Sequence, residues 1–350
     1  MNYAIILSGG LGSRFWPLSK EEQPKQFLRI CSSRPMLQET IERLNGFVSR
    51  SNIYIAANKN YAQQTRQCLS PLGLDRRKIF FEPQAKNTFA PIALLSKNIS
   101  LKDAEAIIMV FPCDHYIKYR RKFLRTLRQA VEAAKQGYIV TLGIKPDVPE
   151  TGYGYIKIRP PAHYIFGAPI YEVVKFEEKP SFARAKSFIR DNRYYWNSGI
   201  FIFKAQVLLE EICRLKPRDY RLLLKINSRN LNRYWPRLTN ISMDYAIMEK
   251  TKRMALIAQD FGWRDLGSWS SLAFLFRKDK NGNILRGNCL DIGSRDIFSF
   301  SDGVLLATVG LTKVIVIAGD REILVCSADK AQEVKKIAKL LKRKRWLKRV

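Results

Sequence analysis

Short apolar runs alternate with segments of helical period through the first half of the chain. Tyr3 to Leu7, Ile53 to Ala56, Lys78 to Phe81, Ala106 to Phe111 and Ile139 to Ile144 read as mostly buried strands. Between them, Met36 to Phe47, Tyr61 to Leu69, Thr88 to Ile99 and Lys122 to Lys135 carry apolar residues at helical spacing. This alternation predicts crossover units, and so an α/β fold with a mainly parallel, mixed sheet flanked by helices. The middle is richer in β structure: Tyr155 to Ile158, Tyr171 to Phe176 and Ile200 to Phe203 read as strands. Helices are expected over Ser181 to Arg190 and from near Met243 and Ser268. After about Lys278 the texture changes. Asn281-Gly282-Asn283, Gly287-Asn288, Gly293, Asp302-Gly303 and Gly310 punctuate brief apolar runs, which predicts a small all-β domain. The expected division is 1–278 and 279–350.

Ligands of such sheets bind at the carboxyl ends of strands. Two segments with chemistry lie at such ends. One is Ser8-Gly9-Gly10-Leu11-Gly12-Ser13-Arg14, after the first strand, with Pro24-Lys25-Gln26-Phe27 behind it. Its three glycines let backbone N–H groups approach an anion, and Arg14 and Lys25 add two cations. Neither the dinucleotide fingerprint nor the Walker loop fits: the third glycine of the former would fall at Phe15, and no Gly-Lys-Ser/Thr ending is present. The other is Pro112-Cys113-Asp114-His115, directly after Ala106 to Phe111.

Composition narrows the chemistry. The 350 residues are 46% hydrophobic and 11% aromatic, ordinary globular values, and no apolar stretch approaches the length of a transmembrane helix. No signal peptide is evident, and six scattered cysteines without a C-x-x-C pair fit a reducing cytoplasm. With two histidines, a zinc site is not expected. The net charge of +30 favours anionic partners, and ten basic residues against one acid between Lys330 and Val350 form an amphipathic basic helix. Such a helix could meet RNA or a membrane, but more often lays its apolar face on its own domain.

Transferring a nucleotidyl group requires a gripped triphosphate, neutralised charge and an aligned attacking oxygen. Magnesium takes one or two carboxylates, and the candidates are Asp114 and Asp265, the latter in Trp263-Arg264-Asp265-Leu266-Gly267-Ser268-Trp269. Thr151-Gly152-Tyr153-Gly154-Tyr155, Phe176-Glu177-Glu178-Lys179-Pro180, Trp196-Asn197-Ser198-Gly199 and Asp244-Tyr245-Ala246 offer close-approach glycines, acids and an amide of the kind that hold sugar hydroxyls. Read singly, Asp244 and Asp265 could each serve only a helix start, and Asn197 only a turn.

Taken in order over residues 4–270, these segments, with Glu82, Asn87-Thr88 and Ser242 to Glu249, closely resemble the bacterial-type mannose-1-phosphate guanylyltransferases, the GDP-mannose pyrophosphorylases. The length resembles that of the short, single-activity members, too small for the isomerase domain of the long ones. The resemblance implies a Rossmann-like nucleotidyltransferase catalytic domain and a small β-helix-like domain ending in a basic helix. It implies a cytoplasmic enzyme, similar to homodimeric proteins, that uses magnesium, GTP and mannose 1-phosphate. Gly9, Gly10, Gly12, Ser13, Arg14 and Lys25 would meet the triphosphate, and Asp114 and Asp265 the metal. Glu82, Asn87, Thr88 and Pro112 would surround guanine. Gly154, Glu178, Asn197 and Asp244 would hold mannose, with Lys179 near its phosphate. Ser13 stands where threonine is usual and Lys86 where arginine is usual, and Asn87 to Pro91 departs from the common pattern near the base. The alternatives are a related transferase with another base or sugar, and an inactive nucleic-acid-binding homologue.

Overall fold

The computed structural model describes residues 1–10, 12–161 and 163–344, except for the side chains of 342–344. In chain order its strands are β1 (Asn2–Ser8), β2 (Ile53–Asn58), β3 (Ile79–Glu82), β4 (Ile107–Pro112), β5 (His115–Ile117), β6 (Ile139–Ile144), β7 (Gly154–Ile158) and β8 (His163–Ile165). They continue with β9 (Ala168–Glu178), β10 (Tyr194–Lys204), β11 (Met254–Ala258), β12 (Trp263–Asp265), β13 (Ile284–Ile292), β14 (Phe298–Val309), β15 (Val314–Ala318) and β16 (Ile323–Ser327).

The chain forms two compact units. The first comprises residues 1–9, 38–113 and 117–263. Its sheet runs β3-β2-β1-β4-β10-β6-β11-β9-β7, with β8 on β9. The parallel part is β3-β2-β1-β4 together with the β6–β11 pair. Strand β10 runs antiparallel to β4 and β6, and β9 antiparallel to β7 and β11. The mixed α/β expectation holds, with parallel order where helices Ala62–Leu69 and Phe89–Ser100 follow strands. The helix Phe89–Ser100 is buried over most of its circumference, so it is apolar nearly all round rather than striped. Strand β11 and the helices Ala205–Leu215 and Pro217–Lys225 add to the elements the sequence pattern predicts.

The second unit comprises residues 10–37, 114–116 and 264–350. Its core joins Phe15, Leu28 and Met36 to Leu266 and Trp269, and these to Ile284, Phe298, Ile315 and Leu324. The Trp269 ring meets Phe15 edge-on at 5.0 Å, and its indole N–H donates to the Trp16 carbonyl. In this unit apolar side chains of the glycine-loop segment pack with those of the β-rich segment. In the latter, β13, β14 and β15 are parallel neighbours and β16 closes antiparallel on β15. The basic helix spans Val334–Lys344. Val334 is buried, whereas Ile337 and Leu340 are exposed. The last six residues of the basic tail lie outside the described residues.

Candidate active site

The second unit gathers the charged residues. Gly12 has φ of +69° and starts a 3-10 turn over Ser13–Phe15, closed by the Phe15 N–H on the Gly12 carbonyl. Gly9 and Gly10 lead into it from β1, on the first-unit side and the second-unit side of the boundary respectively. Pro24 precedes a second 3-10 turn, Lys25–Phe27. The Lys25 side chain is 6% exposed, yet its ammonium is satisfied: Nζ donates to Asp114 Oδ2 at 2.8 Å and lies 5.2 Å from the Phe15 ring centroid. Burial pushes the Asp114 carboxyl up, but the charges of Lys25 and His115 outweigh it and hold the group below its ordinary value. Asp114 is therefore an anion at neutral pH.

Asp265 reaches the same neighbourhood through backbone pairing. Strands β5 and β12 form a two-stranded sheet. The Lys118 N–H donates to the Gly262 carbonyl and the Tyr119 N–H to that of Phe261. Continued through the strands, this antiparallel order sets His115, next to Asp114, across from Asp265. Asp265 also neighbours Arg14: a Cβ built on Gly267 would lie 3.7 Å from Asp265 Oδ2 and 3.9 Å from Arg14 Nη1. The Arg14 Nε–H is buried and has no hydrogen-bond partner. A guanidinium with a buried, unmet donor is suited to an anionic oxygen. Asp265 precedes the helix Trp269–Ala273, but Ser268 caps that helix in a capping box with Ser271. The helix start therefore does not need Asp265.

Two carboxylates supply hard oxygen donors, the set magnesium prefers. Among the described residues no group of three or more His, Cys, Asp or Glu could hold a metal.

The first unit carries the remaining candidates in two groups. In the first group, Glu82 ends β3 and is buried, and a Cβ on Gly9 would lie 3.7 Å from its Oε1. It accepts the Lys86 N–H, and burial pushes its carboxyl up to about 7. The Lys86 ammonium is buried too, donating to the carbonyls of Pro236 at 2.6 Å and Leu238 at 2.8 Å. Its charge thus ties two chain segments together instead of facing a ligand. Asn87 has φ of +58° and accepts the Thr88 N–H. The Thr88 hydroxyl accepts the Met243 N–H at 2.8 Å. Pro112 ends β4, and the following Cys113 is pinned by its N–H on the Leu7 carbonyl and by Thr40 Oγ1 donating to its carbonyl.

The second group surrounds Gly154. A Cβ there would lie 2.5 Å from Glu178 Oε2, 3.0 Å from Phe176 Cζ and 3.4 Å from Asn197 Cβ, so any larger residue would displace that carboxylate. Lys179, at φ of +51°, donates to Glu178 Oε1 at 2.6 Å. Asn197 Nδ2 donates to Asp244 Oδ1 at 2.9 Å. Burial, and then the charge of Glu178, raise the Asp244 carboxyl to about 6. The helix expected near Met243 is a π-helical turn, Asp244–Met248, with Asp244 as its first residue. The residue that sequence reasoning missed is Thr141, whose buried hydroxyl donates to Asn197 Oδ1 at 2.9 Å. Its one signal is a lone hydroxyl in the apolar run Ile139–Ile144.

Comparison with known proteins identifies two family matches along the chain. Residues 3–282 match the Nucleotidyl transferase family, and residues 287–341 match the MannoseP isomerase/GMP-like beta-helix domain. The chain is 35% identical to a mannose-1-phosphate guanylyltransferase of Escherichia coli, over 96% of this chain and 75% of that one. It is 36% identical to the xanthan biosynthesis protein XanB of Xanthomonas campestris, over 97% of this chain and 73% of that one. A crystal structure from Thermus thermophilus, described as mannose-1-phosphate geranyltransferase, matches with a TM-score of 0.87 at 32% identity. That match covers 97% of this chain and 99% of the other.

Proposed function

The chain belongs to the mannose-1-phosphate guanylyltransferase family of nucleotidyltransferases, and on that premise we propose that it makes GDP-mannose and diphosphate from GTP and mannose 1-phosphate. The observation that carries this reading is the second unit's set of Arg14, Lys25, Asp114 and Asp265. It combines a buried cation held on an aspartate, a guanidinium with an unmet donor and a second aspartate brought alongside by a β ladder.

In the proposed reaction an oxygen of mannose 1-phosphate attacks the α-phosphorus of GTP. The new P–O bond forms as the bond to the β-phosphate breaks, and diphosphate leaves. The attacking phosphate is already ionised, so no general base is required. Arg14, Lys25 and the backbone of Gly9, Gly10, Gly12 and Ser13 grip and neutralise the triphosphate. Enzymes of this family generally use a divalent ion. Here Asp114 and Asp265 would hold Mg2+, which supplies further neutralisation of phosphate charge. Glu82, Asn87, Thr88 and Pro112 face guanine, with the ionised Glu82 accepting from base N–H groups. Gly154 leaves room for Glu178, and Glu178, Asn197 and Asp244 hold the mannose hydroxyls. Lys179 serves the sugar phosphate.

Among the described residues no helix is long and apolar enough to cross a membrane. Six scattered cysteines without a C-x-x-C pair support action in a reducing cytoplasm. A homodimer is supported by the exposed apolar stripe on β13 and β14, where Ile292 and Val309 are paired neighbours and Leu290 and Leu305 are also exposed. Turnover of GTP, ATP, UTP and dTTP, each with mannose 1-phosphate and glucose 1-phosphate, tests the reading by diphosphate release. GTP with mannose 1-phosphate is expected to lead by about tenfold or more. Equal or faster turnover of another pair overturns it.

A further inference from the structure

We propose that Thr141 is a positioning residue that fixes the amide of Asn197 so that its N–H points at Asp244. The inference rests on the sugar-holding role given above to Asn197 and Asp244.

The chemistry of the amide sets the problem. An ionised carboxylate only accepts hydrogen bonds, so the NH2 end of Asn197 must face Asp244 and the oxygen end must face the other way. Nothing intrinsic to asparagine favours that orientation, since the two ends have nearly the same size. The oxygen end must therefore meet donors. Two are in place: Thr141 Oγ1 at 2.9 Å and the Gly199 N–H at 3.1 Å. The Gly199 N–H comes with the backbone bend, whereas the Thr141 hydroxyl is a side-chain choice.

That choice runs against its surroundings. Thr141 sits in β6 among Ile139, Val140, Leu142 and Ile144, all buried, and is itself 0% exposed. Valine has nearly the same shape, suits a strand equally well and avoids burying a hydroxyl. The hydroxyl has a single proton, and its one other acceptor, the Ile200 carbonyl, is farther away at 3.3 Å. The β10–β6 register explains how the two side chains meet. Thr141 pairs with Phe201 and Gly143 with Asn197, and the register shifts between Asn197 and Phe201. Because Thr141 lies two residues from Gly143, the partner of Asn197, the two side chains share one face of the sheet. A chain of hydrogen bonds thus runs Thr141–Asn197–Asp244.

The test compares Thr141→Val, which removes the hydroxyl and keeps the shape, with Thr141→Ser, which keeps the hydroxyl. In Thr141→Val the KM for mannose 1-phosphate is expected to rise about tenfold, with the KM for GTP unchanged. Thr141→Ser is expected to stay within about twofold of the parent. An unchanged sugar-phosphate KM in Thr141→Val, a parallel rise in both KM values, or equal damage in the two variants overturns the inference. A readout independent of turnover is hydrogen exchange of the Asn197 side-chain amide, followed by NMR with labelled asparagine. It should accelerate in Thr141→Val alone, and equal protection in all three proteins overturns the inference even if the parent proves inactive on mannose 1-phosphate. Parent inactivity by itself would overturn the proposed reaction, not the positioning.

Discussion

Gly12 and Lys25 are in backbone-to-side-chain contact so close that a Cβ at position 12 would sit 2.2 Å from the Lys25 Cβ. The glycine is also at φ of +69°, where any other residue carries a cost of about 1–2 kcal/mol before the clash is counted. Space for the buried ammonium and the turn of the loop are therefore one requirement. Gly12→Ala is expected to weaken GTP binding by tenfold or more, as read by calorimetry, because Lys25 is displaced from Asp114. Parent-like affinity would show that the loop can relax without moving the cation.

Lys25→Ala removes a cation that lowers the Asp114 carboxyl and, in the proposed reaction, one that grips the triphosphate. Diphosphate release should fall by about a hundredfold or more. Lys25→Arg restores the charge but not the compact fit against Phe15, and should recover only part of the rate. The measurement is single-turnover diphosphate release at saturating GTP.

Glu82 gives a pH prediction. Its carboxyl, raised to about 7 by burial, is protonated in the fold at pH values where an unfolded glutamate is already ionised. Stability from this group is present below the unfolded value and lost as pH rises through about 7. A base that donates N–H groups favours the ionised form, so the sign for binding is the reverse. GTP affinity should rise about tenfold from roughly pH 6 to roughly pH 8. Glu82→Gln should flatten that profile in calorimetric titrations, and a profile unchanged by the substitution would remove Glu82 from base recognition.

Gly154→Ala places a methyl 2.5 Å from Glu178 Oε2. The carboxylate must move, and the same methyl meets Phe176 Cζ at 3.0 Å. The KM for mannose 1-phosphate is expected to rise by about tenfold or more while GTP binding stays at the parent value, since Glu82 and Lys25 are untouched. Parallel loss of both affinities would indicate a wider disturbance of the first unit.

Local pattern made much of this legible. The strand ends at Ser8 and Pro112 were visible because apolar runs stop there at glycine, proline and aspartate, and both run as parallel strands in the sheet. Glycines 12 and 154 could be singled out, although the reason for each lies in a side chain far along the chain. What stayed hidden depends on contacts between distant residues. The Lys86 ammonium finds carbonyls some 150 positions away, and no local spacing announces that. The approach of Asp265 to Asp114 is set by a ladder between two three-residue strands, too short to leave a period. Helix Ala205–Leu215 begins directly after β10, without a glycine or proline to mark the change. The packing of residues 10–37 with 264–350 arises from Phe15 and Trp269, which in sequence are merely two aromatics.

The irregular pairing of β10 constrains length as firmly as chemistry. In a regular strand, neighbouring side chains point to opposite faces, so a frame error of one residue reverses every projection beyond it. Between Asn197 and Phe201 β10 advances four residues while β6 advances two, so deleting a single residue from 198–200 would leave an offset of one and an odd spacing between the two positions. The deletion would have to turn either the amide or the apolar stretch Phe201–Phe203 to the wrong side. A loop remodelled here by substitution can keep its job, whereas one shortened by a residue must give up either the amide held on Asp244 or the sheet interior.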